Sequence, residues 1–338
     1  MDPIAALRRI GFLLERVRAP TYRVRAFRNA ALTLAGLGQE ELDSRTAAGT
    51  LTDLPGIGKT TSAVIAQALA GRVPDYLADL EAQMAPLATG GEDLRRALRG
   101  DLHSHSDWSD GGSPIQEMAV TAMELGHEYQ ALTDHSPRLT VANGLSVARL
   151  SRQLGIVATL NQHMGEFRLL SGIECDINED GTLDQTDELL GAVDVVVSSV
   201  HSKLRSDSGA MTRRMVRAIA NPHTDILGHC TGRLVTGGRG TRPPSQFDAA
   251  RVFDACAEHG VAVEINSRPE RLDPPRKLLT QAVAAGCLFS IDTDAHAPGQ
   301  LDWQQYGCAR AAECGVPADR IVNTWPVDEL LAWTKRDR

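Results

Sequence analysis

No run in this chain approaches the apolar length of a membrane span. The N-terminus offers no signal peptide either. Gly11-Phe12-Leu13-Leu14 is too short an apolar core, and arginine follows as well as precedes it. The expectation is a soluble cytoplasmic protein with no membrane partner. Cysteine is sparse: six residues, at 175, 230, 256, 287, 308 and 314, with no CxxC pair among them. That scatter gives no disulfide framework and reads as reduced thiols, most of them in the core. A surplus of positive charge is also missing. The net charge of −8 argues against nucleic-acid binding over the whole surface.

The charge is uneven. Residues 1–100 hold 13 Lys and Arg against 11 Asp and Glu, and the remainder holds 22 against 32. Residues 1–28 alone carry seven arginines and two acids, Asp2 and Glu15. A basic N-terminal module is thus joined to an acidic body, and 338 residues leave room for more than one domain. An acidic body is reasonable if divalent cations bring the missing positive charge.

In the basic module, Ile4, Leu7, Ile10, Leu14 and Val17 fall on one face of a helix over 4–17. A second segment, Tyr22–Leu34, interleaves Arg23, Arg25 and Arg28 with apolar residues. Then comes Leu54-Pro55-Gly56-Ile57-Gly58-Lys59 and an Ala-rich helix to about Leu69. Gly56 and Gly58 allow a tight turn whose N–H groups, at the next helix's N-terminus, suit a phosphate oxygen. With Lys59 and the three arginines it reads as a helix-hairpin-helix that holds a DNA backbone without reading bases. The competing readings are a plain helix–helix turn and a solvated arginine face. The domain spans 1–85, with a linker over 86–99.

From residue 100 strand and helix signals alternate. Strand-like runs lie at 100–105, 129–135, 167–176, 193–201, 225–230, 261–267 and 287–296. Continuous apolar runs such as Val195-Val196-Val197 indicate strands buried on both faces, as in a parallel sheet. Seven such units make an α/β barrel or a doubly wound sheet.

Six of the seven runs end in metal-ligand types: His103 and His105, His135, Glu174, His201, His229, then Asp294 and His296. The sixth ends in Glu264-Ile265-Asn266. Parallel α/β folds build their sites at those ends. Two residues apart on a strand, His103 and His105 share a face, and so do Asp294 and His296. If the sheet closes, the two pairs flank one seam. Asp110, in a Ser-Asp-Gly-Gly turn, can fold back toward them. Asp134, beside His135 on the opposite face, is a second-layer partner or a helix cap. His127, His163, His223 and His259 read as structural.

One histidine at a strand end is usually an ordinary core or surface residue; a recurring series is a site. Imidazoles with three carboxylates and no thiolate suit Mn²⁺, Zn²⁺ or Fe²⁺ rather than Mg²⁺ or Ca²⁺. Nine ligands exceed one ion and suit three, with Glu174 as the bridge. Such a cluster fits phosphoester hydrolysis, because it activates water and clamps the oxygens of an in-line displacement. Lys203 and Arg233 stand where they could hold non-bridging phosphate oxygens, or be surface charges.

Asp-Leu-His103-Ser-His105, Thr-Asp-His135-Ser, Gly-Ile-Glu174-Cys-Asp, Ser-Val-His201-Ser, Gly-His229-Cys-Thr-Gly-Arg233, Val-Glu-Ile-Asn266 and Thr-Asp294-Ala-His296 resemble the successive motifs of the PHP (polymerase and histidinol phosphatase) superfamily. The likeness is in particular to the C-terminal PHP domain of bacterial family-X DNA polymerases, and residues 1–85 resemble the helix-hairpin-helix domain of the same enzymes. The resemblance implies a distorted seven-stranded TIM-like barrel over 100–338 with a trinuclear site. The implied ligands are His103, His105, Asp110, His135, Glu174, His201, His229, Asp294 and His296. The implied activities are 3′–5′ exonuclease, abasic-site endonuclease and 3′-end processing in DNA repair. A small-molecule phosphatase of histidinol-phosphatase type is the alternative. The stretch 86–99 is too short for a polymerase core, so no polymerase activity is expected. Val64 stands where some relatives carry a lyase lysine. Cys230 replaces a usual proline, which would be harmless or would expose a thiol near the metals. No protein partner is named by the sequence.

Overall fold

A computed structural model of the chain describes residues 1–238 and 240–336; the last two residues of the 100–338 region lie outside the described residues. The chain divides into two compact units, Met1–Pro86 and Leu87–Arg338.

The first unit is helical: α1 (Pro3–Arg16), α2 (Thr21–Ala35), α3 (Gln39–Ala48), α4 (Lys59–Leu69) and α5 (Asp75–Ala82). Asp2 caps α1 by accepting from the N–H groups of Ile4 and Ala5, and Pro3 occupies the first turn. Leu7, Ile10, Leu13 and Leu14 are buried, with Phe27, Leu34 and Ile65 from the neighbouring helices. Gly56 has φ +77°, a conformation that penalises any side chain. The turn is pinned by Leu54, Ile57 and the Thr33 hydroxyl, which donates to Pro55 O at 2.9 Å.

The second unit starts with α6 (Glu92–Ala97), so the stretch read as a linker belongs to the barrel unit from Leu87 on. Then come β1 (Gly100–Ser104), α7 (Ile115–Glu124), β2 (Tyr129–Leu132), α8 (Val147–Asn161), β3 (Arg168–Asp176), α9 (Asp187–Ala192), β4 (Val195–Ser199), α10 (Ser208–Ile219), β5 (Ile226–Leu227), α11 (Ala249–His259), β6 (Ala262–Asn266), α12 (Arg276–Ala284), β7 (Leu288–Asp292), α13 (Gln304–Glu313) and α14 (Val327–Thr334). The seven strands are parallel and pair in sequence order, β1 to β7. They form a nearly closed TIM-like barrel wrapped by helices. Val195, Val196 and Val197 are fully buried, as strands covered on both faces require.

The seam between β1 and β7 has a single bridge, Ser104 with Ala295. Side chains complete it. Asp101 accepts from the Thr293 hydroxyl and, at 3.3 Å, from Thr293 N. Asp292 accepts from Leu102 N at 2.9 Å and from Asn323 Nδ2 at 2.9 Å. Asn323 Oδ1 also accepts from Ile291 N at 2.7 Å.

Most strands are shorter than the sequence suggests. β2, β4, β5 and β7 stop at 132, 199, 227 and 292, so His135, His201, His229, Asp294 and His296 stand on the loops beyond. After β5 the chain passes Gly228, where a Cβ would lie 2.3 Å from Ser199 Oγ; glycine lets the backbone cross and deliver His229.

Candidate metal centre

Glu174, on β3 and almost wholly buried, is the hub. Its Oε1 lies 2.8 Å from His229 Nε2 and 3.2 Å from His201 Nε2. Its Oε2 lies 2.8 Å from His135 Nδ1, 3.4 Å from His103 Nε2 and 3.6 Å from His105 Nε2. His296 Nε2 and His135 Nε2 face Asp110 Oδ1 at 3.3 and 3.4 Å. Asp294 Oδ1 stands 3.5 Å from His105 Nε2. All nine residues expected as ligands therefore meet in one cluster. Within it, three sets bring their donor atoms within 4.8 Å of one another: His105, Asp110, His135 and His296; His103, His105 and Asp294; His135, Glu174 and His201.

Asp294 and His296 both reach the cluster, but from beyond β7 and not from one strand face. Asp294 lies beyond β7 with φ +53°, a left-handed conformation that costs a non-glycine residue energy and is tolerated where the surroundings enforce it. His296 Nδ1 then approaches Asp294 O at 2.8 Å. The β1–β2 register also shifts between Asp101 and Ser104, around His103.

The donors fit divalent cations. His103 Nδ1 bonds Glu264 Oε1 at 2.6 Å and His201 Nδ1 bonds Asp176, so each ring donates there and turns Nε2 inward. His103 Nε2, His201 Nε2, both ring nitrogens of His105 and Glu174 Oε2 are buried with no hydrogen-bond partner. Buried polar atoms are normally paired, and so many facing each other call for cations. The electrostatics agree. Burial alone would raise the Glu174 carboxyl, but His201, His103 and His135 hold it well below the ordinary carboxylate range. Burial would lower His135, yet Glu174 and Asp110 push it up to about 10. Burial and the neighbouring His296 and His135 drive His105 well down.

Asp134 is a loop anchor. It accepts from Ser106 N and Oγ at 2.8 and 2.6 Å, from Ser109 Oγ at 2.5 Å and from Gln153 Nε2 at 2.7 Å, fixing the loop that carries Asp110. Cys230 is buried, with Sγ 3.8 Å from Asp273 Oδ1; burial and Asp273 push its thiol well up, so no reactive thiol is exposed there.

Two arginines expected at phosphates are held by the protein's own groups. Arg233 donates to the backbone carbonyls of Arg271, at 3.0 Å, and Leu272, bracing their loop. Arg28 is closed in a largely buried ion pair with Glu15, at 2.7 and 3.0 Å, which leaves it no part in a DNA surface. Lys203 is exposed with φ +55°. Arg23, Arg25, Gly56, Gly58 and Lys59 are exposed; Arg23 donates to Tyr76 Oη at 2.6 Å. Sequence reasoning missed Glu264, Asp176, Arg268 and Arg271. Glu264 and Asp176 stood in plain view two residues from Asn266 and Glu174, on the same strand faces. Arg271 is buried and pairs with Asp294 at 3.0 Å.

Residues 101–268 match the PHP domain family, and residues 1–73 match a helix-hairpin-helix domain. The chain is a PHP-domain metal-dependent phosphoesterase. The DNA polymerase/3′-5′ exonuclease PolX of Bacillus subtilis (strain 168) is 37% identical over 240 residues, covering 71% of this chain and 41% of that protein. The PHP chain thus spans about two fifths of that relative's length. A probable phosphatase of Thermoanaerobacter sp. (strain X514) is 26% identical over 249 residues, covering 70% of this chain and 95% of its own. A solved histidinol phosphate phosphatase from Lactococcus lactis subsp. lactis Il1403, complexed with zinc, L-histidinol and phosphate, covers 64% of this chain at 17% identity with a TM-score of 0.46, too distant to speak for the site. Among the described residues no helix is long and apolar enough to cross a membrane.

Proposed function

We propose that this phosphoesterase hydrolyses DNA phosphodiesters, as a 3′–5′ exonuclease, abasic-site endonuclease or 3′-end trimming enzyme in DNA repair. The observation that carries the reading is a helix-hairpin-helix domain in one chain with a PHP cluster of eight grouped donors and His229 bonded to their hub. The Gly56–Lys59 turn, exposed except for Ile57, opens α4, whose first N–H groups suit a phosphate of the DNA backbone, and the exposed Arg23 and Arg25 lie on α2 of the same helical unit. Six free cysteines fit a reducing cytoplasm.

His103, His105, Asp110, His135, Glu174, His201, His229, Asp294 and His296 would hold three divalent ions, Mn²⁺ or Zn²⁺ and less naturally Fe²⁺. Bound there, the ions supply a nucleophile from water near neutral pH and neutralise charge on the attacking and leaving oxygens. The protein's own part is orientation. Glu264 and Asp176 fix two imidazoles, Arg271 fixes Asp294, and Asp134 fixes the loop of Asp110. Residues 86–99 leave no place for a polymerase core, so we expect no nucleotide addition.

A second reading, hydrolysis of small phosphate monoesters, is favoured by relatives named as probable phosphatases that align over nearly their whole length. The deciding assay is Mn²⁺-dependent cleavage of 5′-labelled single-stranded, duplex and abasic DNA beside histidinol phosphate, with Glu174→Ala as the blank. Shortened or nicked DNA absent from the blank supports the nuclease. Phosphate release with intact DNA moves the assignment to the second reading.

A further inference from the structure

Arg268 follows β6 in the loop that also carries Arg271. Its side chain is 13% exposed and lies with its guanidinium 5.6 Å from the centre of the Trp303 ring. Nη1 donates to Asp294 O at 2.6 Å and lies 3.0 Å from His296 Nδ1, while Nε faces the Glu270 carboxylate at 3.5 Å. Among the described residues Nη2 has no hydrogen-bond partner. The Asp294 carboxylate does not need this second arginine: Arg271 already bonds Oδ2 at 3.0 Å, and Arg268 Nη1 stays 3.8 Å from Oδ1. A guanidinium this enclosed is costly to desolvate, and here it keeps a donor in reserve.

The same arginine lines a cavity of about 260 Å³ together with Asp110, His296, Glu270, Leu234 and Thr236. Asp110 and His296 belong to the cluster, so the cavity opens onto the metal donors. We propose that Arg268 grips a non-bridging oxygen of the substrate phosphate, through Nη2, while Nη1 stays on the carbonyl of Asp294. The planar fork of arginine suits a phosphate held beside metal ions, and its contacts with Trp303 and Asp294 O fix the fork in advance. Arg233, expected in this role, turns Nε and Nη2 to the carbonyls of Arg271 and Leu272 and does not line this cavity. The assignment rests on the phosphoesterase reading.

The test is inorganic phosphate binding by calorimetry to metal-loaded wild-type, Arg268→Ala and Arg268→Lys proteins, with metal content measured on each. Losing a charged hydrogen bond should weaken phosphate binding about 10- to 100-fold in the alanine variant at unchanged metal content, with an intermediate loss for lysine. Guanidinium added to Arg268→Ala should restore part of kcat. Wild-type phosphate affinity in both variants overturns the proposal. So does a fall in metal content that parallels the fall in affinity, which would make Arg268 a positioning residue for His296. If the alanine variant does not fold, the lysine variant decides on the same two readouts. A wild-type protein that cleaves no ester yet shows the affinity gap would sink the hydrolase reading and leave Arg268 as an anion contact.

Discussion

The two units treat buried charge on opposite terms. In the helical unit the Arg28–Glu15 pair is satisfied, with both carboxylate oxygens accepting from one guanidinium. In the barrel unit six histidines and three carboxylates are gathered, and several of their buried nitrogens and oxygens face one another unpaired. A satisfied pair asks nothing of its surroundings. An unsatisfied cluster is stable only with cations, protons or metal ions, at its centre. The first arrangement is structural and the second is a site.

The comparison breaks most visibly at Glu174. Glu174→Gln should drop metal content and lower kcat/KM by about 10³-fold, about 4 kcal/mol of transition-state stabilisation; elemental analysis and initial rates check it. Wild-type values would mean that the hub is dispensable. Next comes Arg28→Ala, which takes from Glu15 the guanidinium that both its oxygens accept from and should cost the helical unit about 3 kcal/mol, while a joint Arg28→Met/Glu15→Leu replacement stays close to wild type. Urea unfolding followed by circular dichroism separates the two. Glu264→Gln keeps the shape but weakens the hold on His103 Nδ1, and should reduce metal affinity about 10-fold in a chelator titration.

A pH effect of similar size concerns His127, buried outside both the ion pair and the cluster. Burial first, then the charge of Arg95, push it down to about 3. In the unfolded chain it titrates near 6.5. The folded protein refuses a proton that the unfolded chain accepts, so stability present above pH 6.5 is lost as pH falls toward 3. The loss is about 1.4 kcal/mol per pH unit, or about 2 kcal/mol by pH 5. Urea midpoints of metal-free protein at pH 7.5 and 5 should differ by less in His127→Leu than in the wild type.

Most of the cluster was legible in the sequence because its chemistry restricts residue type. Imidazoles and carboxylates seldom recur at successive strand ends except to hold metal ions, and strand order alone brings them together. Arginine carries no such restriction. Arg28 and Arg233 look like phosphate contacts until Glu15 and the carbonyls of Arg271 and Leu272 are seen, and those partners are set by tertiary packing. Arg268 gives no signal in the sequence for the same reason. Backbone detail was hidden too. Asp294 reaches the site through a left-handed turn, which a period-two pattern cannot register.

The seam has a consequence for synthesis. None of the nine donors lies beyond His296, yet Asn323 ties Asp292 and Ile291, and its carbonyl accepts from Tyr129 Oη at 3.0 Å and Arg99 N at 2.8 Å. A chain cut short during synthesis between those points keeps every ligand, and it keeps the Asp101–Thr293 and Asp292–Leu102 contacts, but it loses the Asn323 wedge between the first strand and the last. Truncation ahead of Asn323 should therefore loosen the seam before it removes any ligand.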